Sequence, residues 1–222
     1  MKCFSDDKKI KLKIALDIGH LYKDSQPEDK GAFYRGLYES DIVRNYMQKT
    51  YELLQVYKDM FEVYISNPLE KILIGDYWKR REWVNKNFSE IDVYIQGHLN
   101  TGKGNYGMLL CVNDLLSIKL REIGYGAEIV KALKEKLKIE FKDKLDEYSK
   151  SVYFLAPHER GYSILTRFKC PAFILEPCFL DNDKHFENLA NRNWTDKIAE
   201  GLTKAFINIY NSYVKPKKKK EI

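Results

Sequence analysis

Short apolar, β-prone runs alternate with stretches of helical periodicity along most of this chain. The runs are Lys11–Asp17 (KLKIALD), Met60–Ser66 (MFEVYIS), Ile91–Gly97 (IDVYIQG), Tyr106–Asn113, Val152–Leu155 and Pro171–Glu176 (PAFILE). Between them, Ile42, Val43, Tyr46, Met47, Leu53, Leu54 and Tyr57 recur at helical spacing. Asp76–Phe88 and Leu115 to about Lys144 read as further helices, the second with an expected break at Gly124–Gly126. A closing helix over Trp194–Tyr213 gathers Ile198, Leu202, Ala205, Phe206, Ile209 and Tyr210 on one face. This alternation predicts a single three-layer α/β domain. Its sheet is expected to be mostly parallel or mixed, with about five or six strands covered by helices on both faces. In such sheets, sites gather at the carboxyl ends of the strands.

At 222 residues the chain suits one domain, here 1–214, followed by a basic tail over 215–222. The tail, KPKKKKEI, holds +4 of the formal net charge of +6, so the body is nearly balanced at +2. A nucleic-acid-binding domain spreads its charge over a folded face, so nucleic acid is not the expected partner. Such a tail, poor in apolar residues, is expected to be unstructured and to hold an anionic surface weakly. No unbroken apolar stretch approaches the roughly 18 residues of a membrane span, so no membrane insertion is expected. The opening residues MKCFSDDKKIKLKIALD have no apolar run ahead of a small-residue cleavage site. They are therefore not read as a secretory signal. Cys3, Cys111, Cys170 and Cys178 form no Cys-x-x-Cys pair. Across a strand, Cys170 and Cys178 would lie about 25 Å apart, beyond the reach of a disulfide. All four are read as free thiols.

Two of the four histidines end predicted strands. His20 closes KIALDIGH and His98 closes IDVYIQGH, each after a glycine expected to let the backbone turn. A single strand-end His is commonly a hydrogen-bonded rim residue; two at one rim point toward a metal. A catalytic zinc takes three N or O ligands and keeps one position open. Glu39, opening a predicted helix after GAFYRGLY, is a candidate third ligand. An acid there also suits the helix dipole, and the sequence does not separate the two roles. Glu176 ends the apolar strand PAFILE. A carboxylate so placed needs a partner; it serves either as a proton carrier beside a metal or in a salt bridge to an Arg. His-Glu-x-x-His is absent, which excludes a helix-borne zincin site. Ser163, in RGYSIL, is not in a Gly-x-Ser-x-Gly elbow. NTGKGNYG lacks the Walker spacing and reads as a flexible loop between strands.

Taken in order, these segments resemble the zinc-dependent N-acetylmuramoyl-L-alanine amidases, the amidase-3 type of peptidoglycan hydrolases. LDIGH resembles the family's strand-end Asp-x-Gly-His, and GAFYRGLYES its Gly-Ala loop leading to Gly-x-x-Glu. YIQGHLN resembles its apolar strand ending in His-x-Asn, and PAFILEPCFLDN its Pro-Ala-x-x-x-Glu-x-x-Phe-x-x-Asn. Arg81 falls where the family has an Arg in the helix before the third strand. The resemblance spans about residues 11–213. It implies a phosphorylase/hydrolase-like fold and one Zn²⁺ per chain, held by His20, Glu39 and His98. It further implies that Glu176 is catalytic and that peptidoglycan is cut between N-acetylmuramic acid and L-alanine. Asn100 and Asn182 are candidate substrate contacts; His158 and His185 are expected in loops. Departures from the pattern are Leu21 after the first His, Pro177 and Cys178 after the catalytic Glu, and Asp181 in place of a Ser. They bear on substrate preference more than on the metal site.

Two other readings use the same residues. A zinc exopeptidase would need an Arg for a terminal charge, with Arg160 or Arg167 available. An inactive wall-binding homologue would not need all four chemical positions. The expected protein is a monomer made in the cytoplasm. It would reach the wall by phage-type release, or by export if a signal was removed.

Overall fold

The fold is that of a computed structural model, which describes residues 10–20, 29–65, 82, 85–86, 91–112, 116–143, 152–166 and 168–215. Strand β1, Leu12–Ile18, is the first element and one of the most buried. A two-strand hairpin follows, β2 (Phe33–Tyr34) and β3 (Leu37–Tyr38), leading directly into helix α1 (Glu39–Gln55). Next come β4 (Phe61–Ile65), β5 (Val93–Gly97), β6 (Tyr106–Cys111), α2 (Leu116–Leu137), β7 (Glu140–Lys142) and β8 (Tyr153–Phe154). The described residues close with α3 (Tyr162–Leu165), β9 (Ala172–Glu176), α4 (Asp183–Ala190), α5 (Asn193–Ile209) and a π-helical turn, Tyr210–Val214.

The sheet is mixed and has seven strands in the order β4-β1-β5-β9-β6-β7, with β8 also pairing β6. Only the β6–β9 pair is antiparallel. The count exceeds the expected five or six because β7, three residues long, is too short to leave an alternating pattern. The hairpin was likewise hidden in a polar loop. Its two turn residues, Arg35 and Gly36, both have positive φ (45° and 91°), as a two-residue type I′ turn demands.

Period-2 alternation divides the sheet residues cleanly. Leu12, Ile14, Leu16, Ile18, Val93, Ile95, Leu109, Phe173 and Leu175 join one cluster, with the buried faces of α1, α2 and α5. Helix α5 packs between α1 and α2 and buries Ile198, Leu202, Phe206 and Ile209 completely. Each such side chain contributes about 1.5–3 kcal/mol by leaving water. Helix α2 runs unbroken through Gly124–Gly126, where a break was expected. These glycines answer a packing need: a Cβ at position 126 would lie 2.2 Å from Val152 Cγ1.

Ala15, Tyr94, Leu110, Ala172 and Ile174 point to the opposite face and pack on Leu155, Leu165, Phe168 and Cys170. Tyr94 stacks on Phe168 with ring centroids 4.4 Å apart. Among the described residues, only the four-residue α3 and extended segments cover this face. The Asp76–Phe88 helix read from the sequence falls almost entirely outside the described residues, as do Leu21, Arg81, Arg167, Cys3 and Pro216–Ile222. Cys111, Cys170 and Cys178 are buried free thiols. No helix among the described residues is long and apolar enough to cross a membrane. A cleft lies over the carboxyl ends of β1, β5 and β9, lined by His20, His98 and Glu176 among others.

Candidate metal centre

The ends of β1 and β5 meet closely. Gly19 N–H donates to the Gly97 carbonyl at 2.9 Å. A Cβ at position 19 would stand 2.1 Å from that oxygen and 2.6 Å from the His98 ring. The glycine is therefore required for space. The residue that turns the backbone through the left-handed region is instead His20, with φ 65°. That conformation costs a non-glycine residue about 1–2 kcal/mol, and it turns the imidazole over the strand ends.

Glu39 is the first residue of α1 and is 4% exposed. Its Oε2 accepts the Ala32 N–H (3.0 Å), and its Oε1 accepts the Leu99 N–H (2.9 Å). The hairpin thus folds the carboxylate back to the sheet rim. Gly31, at φ 71°, makes room: a Cβ there would lie 2.6 Å from His20 Cδ2 and 2.7 Å from Glu39 Oε2.

Three donor atoms converge on one another. Glu39 Oε1 lies 3.0 Å from His20 Nε2 and 3.1 Å from His98 Nδ1, and the two nitrogens are 3.1 Å apart. Together these residues form a cluster able to hold a metal ion. Two imidazole nitrogens and one carboxylate oxygen form a donor set suited to zinc with one position left open. Ligand atoms around tetrahedral zinc stand about 3.4 Å apart, so a few tenths of an ångström of spreading admits the ion. The outer ring nitrogens have their own partners. His20 Nδ1 lies 3.2 Å from both Asp29 carboxylate oxygens, and His98 Nε2 lies 3.2 Å from Gln96 Oε1.

The charges agree with this geometry. Burial works against ionised Glu39, yet hydrogen bonds with His20 and His98 outweigh it and hold its carboxyl well below the usual range. For His20, burial is likewise outweighed by Glu39 and Asp29, and its pKa rises. For His98, burial dominates and its pKa falls.

Glu176, the last residue of β9, lines the same cleft, a space of about 710 Å³. Burial, reinforced by the negative charge of Glu39, pushes its pKa up to about 7, while Arg160 pulls the other way. Arg160 also lines the cleft and is exposed. The sequence reading did not single out Asp29 or Gln96, and gave Asp17 only as the Asp of the Asp-x-Gly-His resemblance. Gln96 was findable, standing two residues before His98 on the same strand face. Asp29, in a polar loop, gives no local signal.

Asn100 lines the cleft, with its Oδ1 accepting the Thr101 N–H at 2.8 Å. Asn182 is otherwise engaged and does not line the cleft. Its Oδ1 caps α4 by accepting the His185 N–H, and its Nδ2 donates to the Lys103 and Gly104 carbonyls. Asp181 accepts the N–H groups of Gly102 and Lys103. The 101–105 loop, read as flexible, is thus clasped by 181–185. His185 is not in a loop but inside α4, fully buried, accepting the Phe179 N–H and resting 4.8 Å from Trp194. His158 is exposed in a turn.

A cation pocket of two imidazoles and a carboxylate, facing a half-buried carboxylate across a cleft, defines a site suited to metal-assisted hydrolysis. Residues 14–208 match the N-acetylmuramoyl-L-alanine amidase family, Amidase_3, and the chain belongs to it. No curated protein matches the chain at a significant level. Among solved structures, the fold resembles an N-acetylmuramoyl-L-alanine amidase from Clostridium difficile 630, with a TM-score of 0.71 and 19% identity over 91% of this chain and 98% of that one. It also resembles Ami1 from Mycobacterium smegmatis (0.71, 12%, covering 92% and 99%). The catalytic domain of the CD27L endolysin targeting Clostridia Difficile is similar too (0.63, 16%, covering 89% and 97%). At these identities the likeness is one of fold.

Proposed function

We propose that this chain hydrolyses the amide joining N-acetylmuramic acid to L-alanine in peptidoglycan, with one Zn²⁺ held by His20, Glu39 and His98. Family membership supplies the reaction class. The observation that carries the zinc reading is the convergence of His20 Nε2, Glu39 Oε1 and His98 Nδ1 within 3.0–3.1 Å. When bound, zinc polarises a carbonyl and lowers the pKa of water toward about 7. Glu176 takes the proton of the attacking water and returns it to the departing L-alanine amine. The C–N bond breaks as a C–O bond forms, leaving a lactyl carboxylate and a free amine. Burial suits Glu176 to this work: a pKa near 7 lets one carboxyl both accept and release a proton near neutrality. Asn100, at the cleft wall, is the remaining candidate contact for the glycopeptide.

The position of Arg160 in the cleft gives the exopeptidase reading one specific support, because an exopeptidase needs a cation for a terminal carboxylate. Mass spectrometry of digested peptidoglycan separates the two. Intact stem peptides with a free L-alanine amine, and glycan with free lactyl carboxylates, support the amidase. Single amino acids trimmed from free peptides overturn it. Phage-type release belongs to the proposal as well: intracellular expression should lyse cells only after the inner membrane is permeabilised.

A further inference from the structure

Alternation along β1 and β5 puts Asp17, Tyr94, Gln96 and His98 on one face of the sheet. Asp17 and Gln96 are Cα partners in the ladder. Asp17, Tyr94 and Gln96 are all buried, at 2%, 1% and 3% exposure. Tyr94 Oη donates to Asp17 Oδ2 at 2.6 Å, and Gln96 Nε2 donates to the same oxygen at 2.8 Å. A carboxylate oxygen accepts, so it faces the amide nitrogen of Gln96 and fixes which way that amide points. The Gln96 carbonyl is left facing His98 Nε2 at 3.2 Å. A carbonyl oxygen accepts too, so His98 Nε2 carries the proton and its lone pair is on Nδ1. Nδ1 is the atom that points at Glu39 Oε1 and His20 Nε2.

We infer that Asp17 and Gln96 form a buried positioning relay that sets the tautomer of His98 so that Nδ1 binds the metal. This rests on reading His20, Glu39 and His98 as the metal ligands. His20 is oriented in the opposite sense: Asp29 takes its Nδ1 and leaves Nε2 inward. The two histidines therefore ligate through different nitrogens, each fixed by its own partner. Such outer partners commonly change metal affinity by 10–100-fold. A relay reaching from one strand through the next also accounts for an acid and an amide buried together in the sheet.

The test measures zinc affinity by competition with a chromogenic chelator. Gln96→Met keeps the length of the side chain but removes the acceptor, and should weaken zinc binding 10–100-fold while the far-UV spectrum is retained. Asp17→Asn should weaken it less. In the Gln96→Met background, Asp17→Asn should lose the part of its effect that runs through Gln96 and keep only the direct effect of its charge on His98, so the two losses should fall clearly short of adding. A purely structural role would instead make the two losses add. Long-range ¹H–¹⁵N correlation spectra of zinc-loaded wild type give a readout that needs no variant: His98 should show a metal-bound Nδ1 and a protonated Nε2. Coordination through Nε2, or a folded Gln96→Met protein that binds zinc within twofold of wild type, overturns the relay. Wild type that binds no zinc overturns the ligand reading itself, which is a separate result.

Discussion

The two walls of the cleft are built differently. On the metal side every inward-facing polar group is held in place: His20 by Asp29, His98 by Gln96, and both Glu39 oxygens by backbone N–H groups. On the opposite side the side chains of Glu176 and Arg160 have no hydrogen-bond or ion-pair partner among the described residues. The first wall is over-determined because a cation requires its ligands fixed before it arrives. The second is under-partnered, which suits the proposed proton carrier, since such a group has to exchange partners with water and substrate during the reaction. Breaking the first wall should abolish binding; breaking the second should spare binding and impair chemistry.

His98→Ala gives the largest effect, since it removes one of the three proposed ligands. Activity should fall to background, and added zinc should no longer raise the melting temperature, as a ligand that binds only the folded state does in wild type. Calorimetry with and without zinc checks this; retained zinc-dependent stabilisation would place the metal elsewhere. Glu176→Gln should come second. It should keep one zinc per chain and lose about 10²–10⁴-fold in kcat. A near wild-type rate would make Glu176 a structural residue. In wild type, activity should fall on acidification as Glu176 takes up its proton. Its pKa is about 7 without metal, and a nearby cation lowers it, so the acidic limb should fall below pH 7 in the zinc enzyme.

The same substitution sharpens the comparison through stability. The folded pKa of Glu176 is about 7, against an ordinary 4.5. Below pH 4.5 both states are protonated and the residue is neutral in its effect. Between 4.5 and 7 the unfolded chain releases a proton that the folded one keeps, so metal-free wild type loses stability as pH rises. Glu176→Gln should therefore raise the melting temperature of the metal-free protein at pH 8 and leave it unchanged at pH 4. An effect on the order of 1 kcal/mol corresponds to about 2–4 °C in a domain of this size. A lower melting temperature at pH 8 would mean that Glu176 stabilises its wall after all.

How much of this was legible in sequence follows from the range of each signal. The strands ending in His20, His98 and Glu176 were readable because an apolar run closed by one polar group is a local pattern. Glu39 was readable as the acid that opens a helix, but its two roles separated only when the hairpin placed its oxygens on Ala32 and Leu99. Asp29 reaches His20 through a loop without periodicity. The glycines at 124 and 126 looked like a helix break because their reason, contact with Tyr213 and Val152, is distant in sequence. His185 looked like a loop residue because α4 is only eight residues long and its burial depends on Trp194.

The smallest effect separates the two members of the second wall. Arg160 is exposed, so its charge acts through solvent and is screened. It nevertheless lowers the proton affinity of Glu176, and it is placed to meet an anionic group of the substrate as that group enters the cleft. Arg160→Ala should raise KM for a soluble muropeptide with a free stem carboxylate about 3–10-fold. It should also move the acidic limb of kcat/KM toward higher pH, because Glu176 loses a neighbouring cation. Arg160→Lys should restore the position of the limb, since the charge returns, but recover KM only partly, since the two-pronged guanidinium is lost. With an amidated stem the KM difference between wild type and Arg160→Ala should shrink, while the shift of the limb persists. If KM and the pH profile are both unchanged in Arg160→Ala, the arginine is a solvated rim residue, and Glu176 alone performs the chemistry of that wall.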